Sequence, residues 1–135
     1  ELKTKYIDTG MISIEFKNFP LDLAALNASK IVHCQNGGGK DVMHFLYQNQ
    51  EKWVKGSNIL EVNSNLQNLL KISNININFE MCINDKNVED FILEERIIGA
   101  KKYKIQSTPT LIINGKKFEK RLNFKNLDKS IKKML

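Results

Sequence analysis

A chain of 135 residues and 15.6 kDa, with 41% hydrophobic and 27% charged residues, has the size and composition of one globular domain with a real core, which excludes wholesale disorder. Its 21 Lys and Arg against 15 Asp and Glu give a net charge of +6, but the cations are almost all Lys, with Arg only at 96 and 121. The Arg forks and interleaved aromatics of a nucleic-acid binder are therefore missing. The lysines run from Lys3 to Lys133 and read as solvated charges on helix ends and turns. The chain also holds 16 Asn and 16 Ile, so part of this excess fits an AT-rich coding sequence.

No run approaches the roughly 18 apolar residues of a membrane-spanning helix. There is no basic start followed by an apolar block, so no signal peptide is visible. The sequence starts at Glu1 rather than Met, and the expectation is that the natural protein begins upstream.

Residues 1–10 read as the last turns of a helix stopped at Asp8-Thr9-Gly10. Ile12, Ile14 and Phe16 alternate with polar residues, which predicts a strand over 11–16 ended by Phe19-Pro20. Leu21 to Cys34 is rich in Ala and Leu and reads as a helix, with Leu23, Leu26 and the stem of Lys30 on one face. Gln35 to Lys40 is a flexible loop. Its Gly37-Gly38-Gly39-Lys40 run suggests a phosphate loop but fails that pattern: Cys34 stands where the first Gly belongs, Asp41 follows the Lys, and no apolar strand precedes it.

Asp41 to Lys55 reads as a second helix capped by Asp41, with a stripe of Val42, Phe45, Leu46 and Trp53 interrupted at Asn49. Asn63 or Ser64 is expected to cap a third helix through Leu66, Leu69, Leu70 and Ile72. Residues 73–79 alternate like a strand but are Asn-rich, so they read as a connector into a helix that carries Cys82. Asp85 or Asn87 then caps a helix with Val88, Phe91, Ile92 and Ile98 on one side, ending near Gly99 or Tyr103. The period changes in the tail. Thr110 to Ile113 is a buried-type strand, Asn114-Gly115 is a hairpin turn, and 116–119 is its partner, before an amphipathic helix from Asn126 to Leu135. The expected class is mixed α/β with a helical insertion.

Two cysteines are present, Cys34 and Cys82. With His33 and His44 they match no zinc spacing, so no metal is expected. The pair reads as a disulfide or as two buried thiols. A bridge would close a loop of about 49 residues, worth roughly 4 kcal/mol in the chain-entropy model, and would suit an oxidising compartment. Pro109 directly before an apolar strand is unusual, because it removes a ladder donor. A cis Thr108-Pro109 bond would turn backbone groups outward, where they can pair with an extended peptide.

The segment from Thr108-Pro109 to Asn114-Gly115 resembles the cis-proline hairpin of thioredoxin-fold disulfide oxidoreductases. The fuller pattern is similar to the bacterial DsbA family. Residues 2–10 resemble the end of its first active-site helix, and 14–22 its next strand and the entry to its helical insertion. Residues 28–34 and 45–53 resemble inserted helices, and 98–103 the long helix leading to the proline.

The resemblance implies a partial thioredoxin-like fold, lacking the first strands and the start of the active-site helix. Residues 1–20 and 104–135 would form the thioredoxin part and 21–103 the helical insertion. It also implies thiol–disulfide exchange on reduced exported proteins in the periplasm, with a membrane partner re-oxidising the enzyme and with no cofactor, metal or nucleic acid. The family's Cys-X-X-Cys maps upstream of Glu1, so no catalytic residue carries over. What carries over is Thr108 and Pro109 as the substrate shelf. Cys34 and Cys82 fall where some relatives carry a second, structural disulfide. The alternative from the same residues is a non-catalytic thioredoxin-like peptide-binding module.

Overall fold

The computed structural model describes residues 1–34 and 38–135. Gln35, Asn36 and Gly37 lie outside the described residues, and with them half of the flexible loop expected over 35–40. The chain divides into two compact units, one of residues 1–17 with 105–135 and one of residues 18–104.

The larger unit is helical: α1 (Leu23–Val32), α2 (Lys40–Gln48), α3 (Gln50–Trp53), α4 (Ile59–Ile72), α5 (Phe79–Ile83) and α6 (Lys86–Lys102). Side chains start four of these. The carboxylate of Asp22 accepts from Ala25 N, Asn58 from Glu61 N, Asn78 from Met81 N, and Asp85 from Asn87 N and Val88 N. Each satisfies amides that the first helical turn leaves without an intrahelical partner. Helix α1 packs against α2, α4, α5 and α6, and α3 packs against α4. The core between them is Ala28, Ile31, Val42, Leu46, Trp53, Val62, Leu66, Leu69, Leu70 and Phe79, together with both cysteines. Trp53 belongs to this core, its indole N–H donating to Leu46 O at 2.9 Å.

The smaller unit begins with a π-helical turn, Lys3–Ile7, closed at Gly10 with φ +74°. It continues after residue 105 with β1 (Ile112–Ile113), β2 (Lys116–Lys117) and α7 (Phe124–Lys132). The strands are antiparallel, with Ile112 opposite Lys117 and Ile113 opposite Lys116. Asn114 and Gly115 both have positive φ, 48° and 79°, as a two-residue hairpin turn requires.

Several expectations are corrected. Residues 12–20 carry no strand or helix, and Ile14 and Phe16 are exposed. Alternation decides which face a strand would bury, but it does not supply the neighbouring strand whose amides and carbonyls complete a ladder. The single helix expected over 41–55 is two, broken at Asn49. There the side-chain amide donates to Phe45 O at 2.9 Å beside the backbone bond to the same carbonyl. Helix α2 starts after Gly39, and Asp41 does not cap it.

Helix α4 starts at Ile59 rather than near Asn63. Asn58 caps it, and Glu61 reaches back to accept from Ser57 N at 2.9 Å, a reciprocal cap that places Ile59 and Val62 on the apolar stripe. Helix α7 starts at Phe124, because Asn123 accepts from Asn126 N, and it ends at Lys132. On α6, Ile92 is fully buried while Phe91 and Ile98 are about half exposed, so the expected four-residue apolar side is narrower than its pattern. Gly38 also has a structural duty: a Cβ there would lie 2.5 Å from Val32 O and 2.7 Å from Cys34 O, so only glycine fits as the chain turns back beneath the end of α1.

Candidate functional site

The candidate shelf lies in the smaller unit, just before β1. The Thr108–Pro109 peptide bond is cis, and both residues are exposed. Thr110 Oγ1 donates to Ser107 O at 2.6 Å and closes the backbone around the proline. Among the described residues the N–H and C=O of Thr108 have no hydrogen-bond partner. An exposed, unpaired peptide unit next to a sheet can take an extended chain by strand-like pairing. The hairpin holds this segment in place: Phe118 N donates to Leu111 O at 2.8 Å and carries the pairing one residue beyond β1 towards Thr110.

The same unit holds a buried polar anchor that the pattern of the sequence did not single out. Tyr6 is 2% exposed, and its hydroxyl donates to Asp128 Oδ1 at 2.6 Å. Lys5 Nζ reaches the same oxygen, and Lys132 Nζ lies 2.9 Å from Oδ2. The bonds from Lys132, then Lys5, then Tyr6 hold the Asp128 carboxyl well below the usual carboxylate range. The same contact raises the Tyr6 hydroxyl and the Lys5 ammonium above their ordinary values. This clamp fastens the N-terminal turn onto α7. The available signal was a single acid on a helix otherwise carrying lysines.

In the larger unit Cys34 and Cys82 are bridged, with Cα atoms 5.4 Å apart, joining the end of α1 to α5. They are 8% and 1% exposed. Thiol–disulfide exchange needs a thiolate to reach a sulfur along the S–S axis, and a disulfide sealed in an apolar core denies that approach. The histidines are not gathered around the sulfurs in a metal set: among the described residues no group of three or more His, Cys, Asp or Glu is placed to hold a metal. His33 Nε2 instead meets the Asn18 side-chain amide at 2.8 Å, and its ring meets Phe91 edge-on with centroids 5.4 Å apart. Asn18 is held in turn by Glu95, through both its backbone N–H and its amide.

Beside the bridge, Lys30 is almost wholly buried. Its ammonium donates to Ile83 O at 3.0 Å and to the Glu89 carboxylate, which Lys86 also reaches at 2.8 Å. The bond from Lys30, then that from Lys86, lowers the Glu89 carboxyl to about 2. Lys30, read from sequence as an apolar stem, thus ties α1 to α5 and α6 through its charge.

Both units therefore lean on depressed carboxyls. Their contribution is complete above the unfolded carboxylate range near pH 4 and is lost as pH falls towards the folded values. The melting temperature is expected to fall steeply between about pH 4 and pH 2. An Asp128→Asn, Glu89→Gln variant should be less stable at neutral pH and show a flatter acid limb. Parallel pH profiles for the two proteins would refute this.

Residues 1–133 match a family model described as Thioredoxin. Two curated relatives, each named "Putative protein-disulfide oxidoreductase", are 25% identical. One, from Rickettsia prowazekii, aligns over the whole of this chain and 49% of its own length. The other, from Rickettsia typhi, aligns over 84% of this chain and 42% of its own. The crystal structure of Wolbachia pipientis alpha-DsbA1 is 28% identical, covers 98% of this chain and 72% of its own, and superposes with a TM-score of 0.76. The chain belongs to the thioredoxin family, among its DsbA-like members. It spans about half the length of the curated relatives it matches.

Proposed function

We propose that residues 1–135 are the substrate-shelf and helical-insertion part of a DsbA-type protein-disulfide oxidoreductase that passes a disulfide to reduced exported proteins in the periplasm. The observation that carries the reading is the likeness to alpha-DsbA1 over almost the whole chain, at 28% identity and a TM-score of 0.76. In this reading residues 1–20 and 104–135 are the thioredoxin part and 21–103 the insertion, and the reactive Cys-X-X-Cys lies outside the 135 residues. The span of about half the curated relatives' length leaves room for it.

Thr108 and Pro109 form the shelf on which the backbone beside a substrate cysteine lies, supported by the unpaired, exposed peptide unit at Thr108. The substrate's dithiol gives two electrons and two protons to the enzyme's disulfide and becomes a disulfide itself. A membrane partner then re-oxidises the enzyme. The Cys34–Cys82 bridge takes no part in turnover, because its sulfurs are enclosed.

The natural protein is expected to catalyse oxidation of a dithiol peptide, and a Cys34→Ser, Cys82→Ser variant assayed well below its melting temperature should keep that turnover. Loss of turnover in a still-folded double variant would make the buried bridge a redox partner. A natural sequence with no Cys-X-X-Cys upstream would leave a peptide-binding module without catalysis.

A further inference from the structure

Thr110 follows the shelf pair and is only partly exposed. Its hydroxyl reaches back three residues and donates to Ser107 O at 2.6 Å. Residues 107–109 lie outside any helix or strand, so no regular ladder sets the direction of the Ser107–Thr108 peptide. That direction is set by the Thr110 hydroxyl. Thr110 is itself placed from the hairpin. It adjoins Leu111, whose carbonyl accepts from Phe118 N at 2.8 Å, and β1 and β2 pair directly beyond.

This bond acts on Thr108 through the geometry of the amide. Ser107 C=O and Thr108 N–H belong to one peptide unit, which is trans, the Thr108–Pro109 bond being the one cis bond among the described residues. A trans unit is planar, and its C=O and N–H point in opposite directions. Holding the oxygen against Thr110 therefore turns the Thr108 N–H away from Thr110, where among the described residues it meets no acceptor. A carbonyl that accepts a hydrogen bond also polarises its amide, which strengthens the N–H of the same plane as a donor, by roughly 10–30%. Pro109 has no N–H, so Thr108 supplies the one backbone donor of the shelf pair, and Thr110 governs it.

We propose that Thr110 is a positioning residue of the shelf: through Ser107 O, its hydroxyl aims the Thr108 N–H at a backbone carbonyl of an extended substrate. This rests on the reading of Thr108 and Pro109 as the substrate shelf. The aiming is internal to residues 107–110 and requires no exposed apolar surface. A hydroxyl that served only the local turn could be removed without changing peptide affinity.

The test compares the natural protein with its Thr110→Val, Thr110→Ser and Thr9→Val variants. Valine keeps the shape of threonine without the hydroxyl, and serine keeps the hydroxyl. Thr9 makes a similar bond in the N-terminal turn, to Lys5 O at 2.9 Å. One probe is an extended peptide with serines in place of two cysteines, which reads affinity without chemistry. The same peptide with both cysteines reports turnover. Thr110→Val is expected to weaken peptide affinity about two- to tenfold, the worth of one hydrogen bond. KM for the dithiol peptide should rise by a similar factor with kcat little changed, the sign of lost binding common to ground and transition states. Thr110→Ser and Thr9→Val should stay within about twofold of the natural protein, with circular dichroism showing all three variants folded. In amide NMR spectra the Thr108 proton should move downfield on peptide addition, and less in the valine variant. Unchanged affinity in Thr110→Val, a serine variant as weak as the valine one, or an unmoved Thr108 amide would overturn the proposal. So would the absence of peptide affinity in the natural protein. Peptide affinity without dithiol turnover would instead overturn the oxidoreductase reading, and the affinities alone would then confirm or overturn the role of Thr110.

Discussion

Replacing Cys34 and Cys82 together by Ser is expected to lower the stability of the helical unit by about 4 kcal/mol, because the bridge closes a loop with a sequence separation of 48. The loss comes mainly from the unfolded chain, which regains the freedom that the cross-link removed. A second part comes from the folded side: two hydroxyls would stand where the sulfurs are now enclosed by core residues such as Ile31 and Phe79. Denaturant titration of the two proteins measures it as a shift of the midpoint at nearly constant slope. A shift under about 1 kcal/mol would mean that the unfolded state is already constrained without the bridge.

The second large effect is at Glu89. Removing its carboxylate by Glu89→Ala leaves the Lys30 ammonium, 6% exposed, with the Ile83 carbonyl as its remaining acceptor. Breaking a buried pair from one side typically costs about 3–5 kcal/mol, since the surviving charge has neither water nor counter-ion. The other side is not equivalent. Glu89 is 25% exposed and keeps Lys86 as a partner, so Lys30→Met removes the buried charge and fills the space with an apolar chain of similar length. That variant is expected to lose about 1 kcal/mol or less. Thermal or denaturant unfolding at neutral pH distinguishes the two. Equal losses would mean that the worth of the pair lies in its attraction and not in the burial of the lysine.

These residues also mark where the sequence stopped being legible. The mixed α/β class followed from the order of elements and from the hairpin signal at Asn114-Gly115, whose positive φ angles need those residue types, whereas the thioredoxin-like architecture came from the family resemblance. The helix starts were legible only in part. Asp85 caps α6 as one of two candidates, while α4 is capped by Asn58 and not by Asn63 or Ser64, in a chain that holds 16 Asn. The strand expected over 11–16 depended on a neighbour that periodicity cannot reveal. Lys30 was read by its methylenes, although its burial is set by Glu89, 59 residues away. Tyr6 and Asp128 are separated by 122 residues, and no local pattern joins them. The shelf at Thr108 and Pro109 came from a family resemblance, because one proline before a strand does not by itself point to a ligand.

The central claim is that these 135 residues belong to a disulfide oxidoreductase whose reactive cysteine pair lies outside them. The most direct measurement is the intact mass of the natural protein from its source cells, with and without reductant under denaturing conditions. A mass well above 15.6 kDa that rises by about four daltons on reduction is expected, two from the Cys34–Cys82 bridge and two from a further pair. A mass of 15.6 kDa that rises by about two daltons would contradict the claim and leave the Thr108–Pro109 segment as part of a binding module.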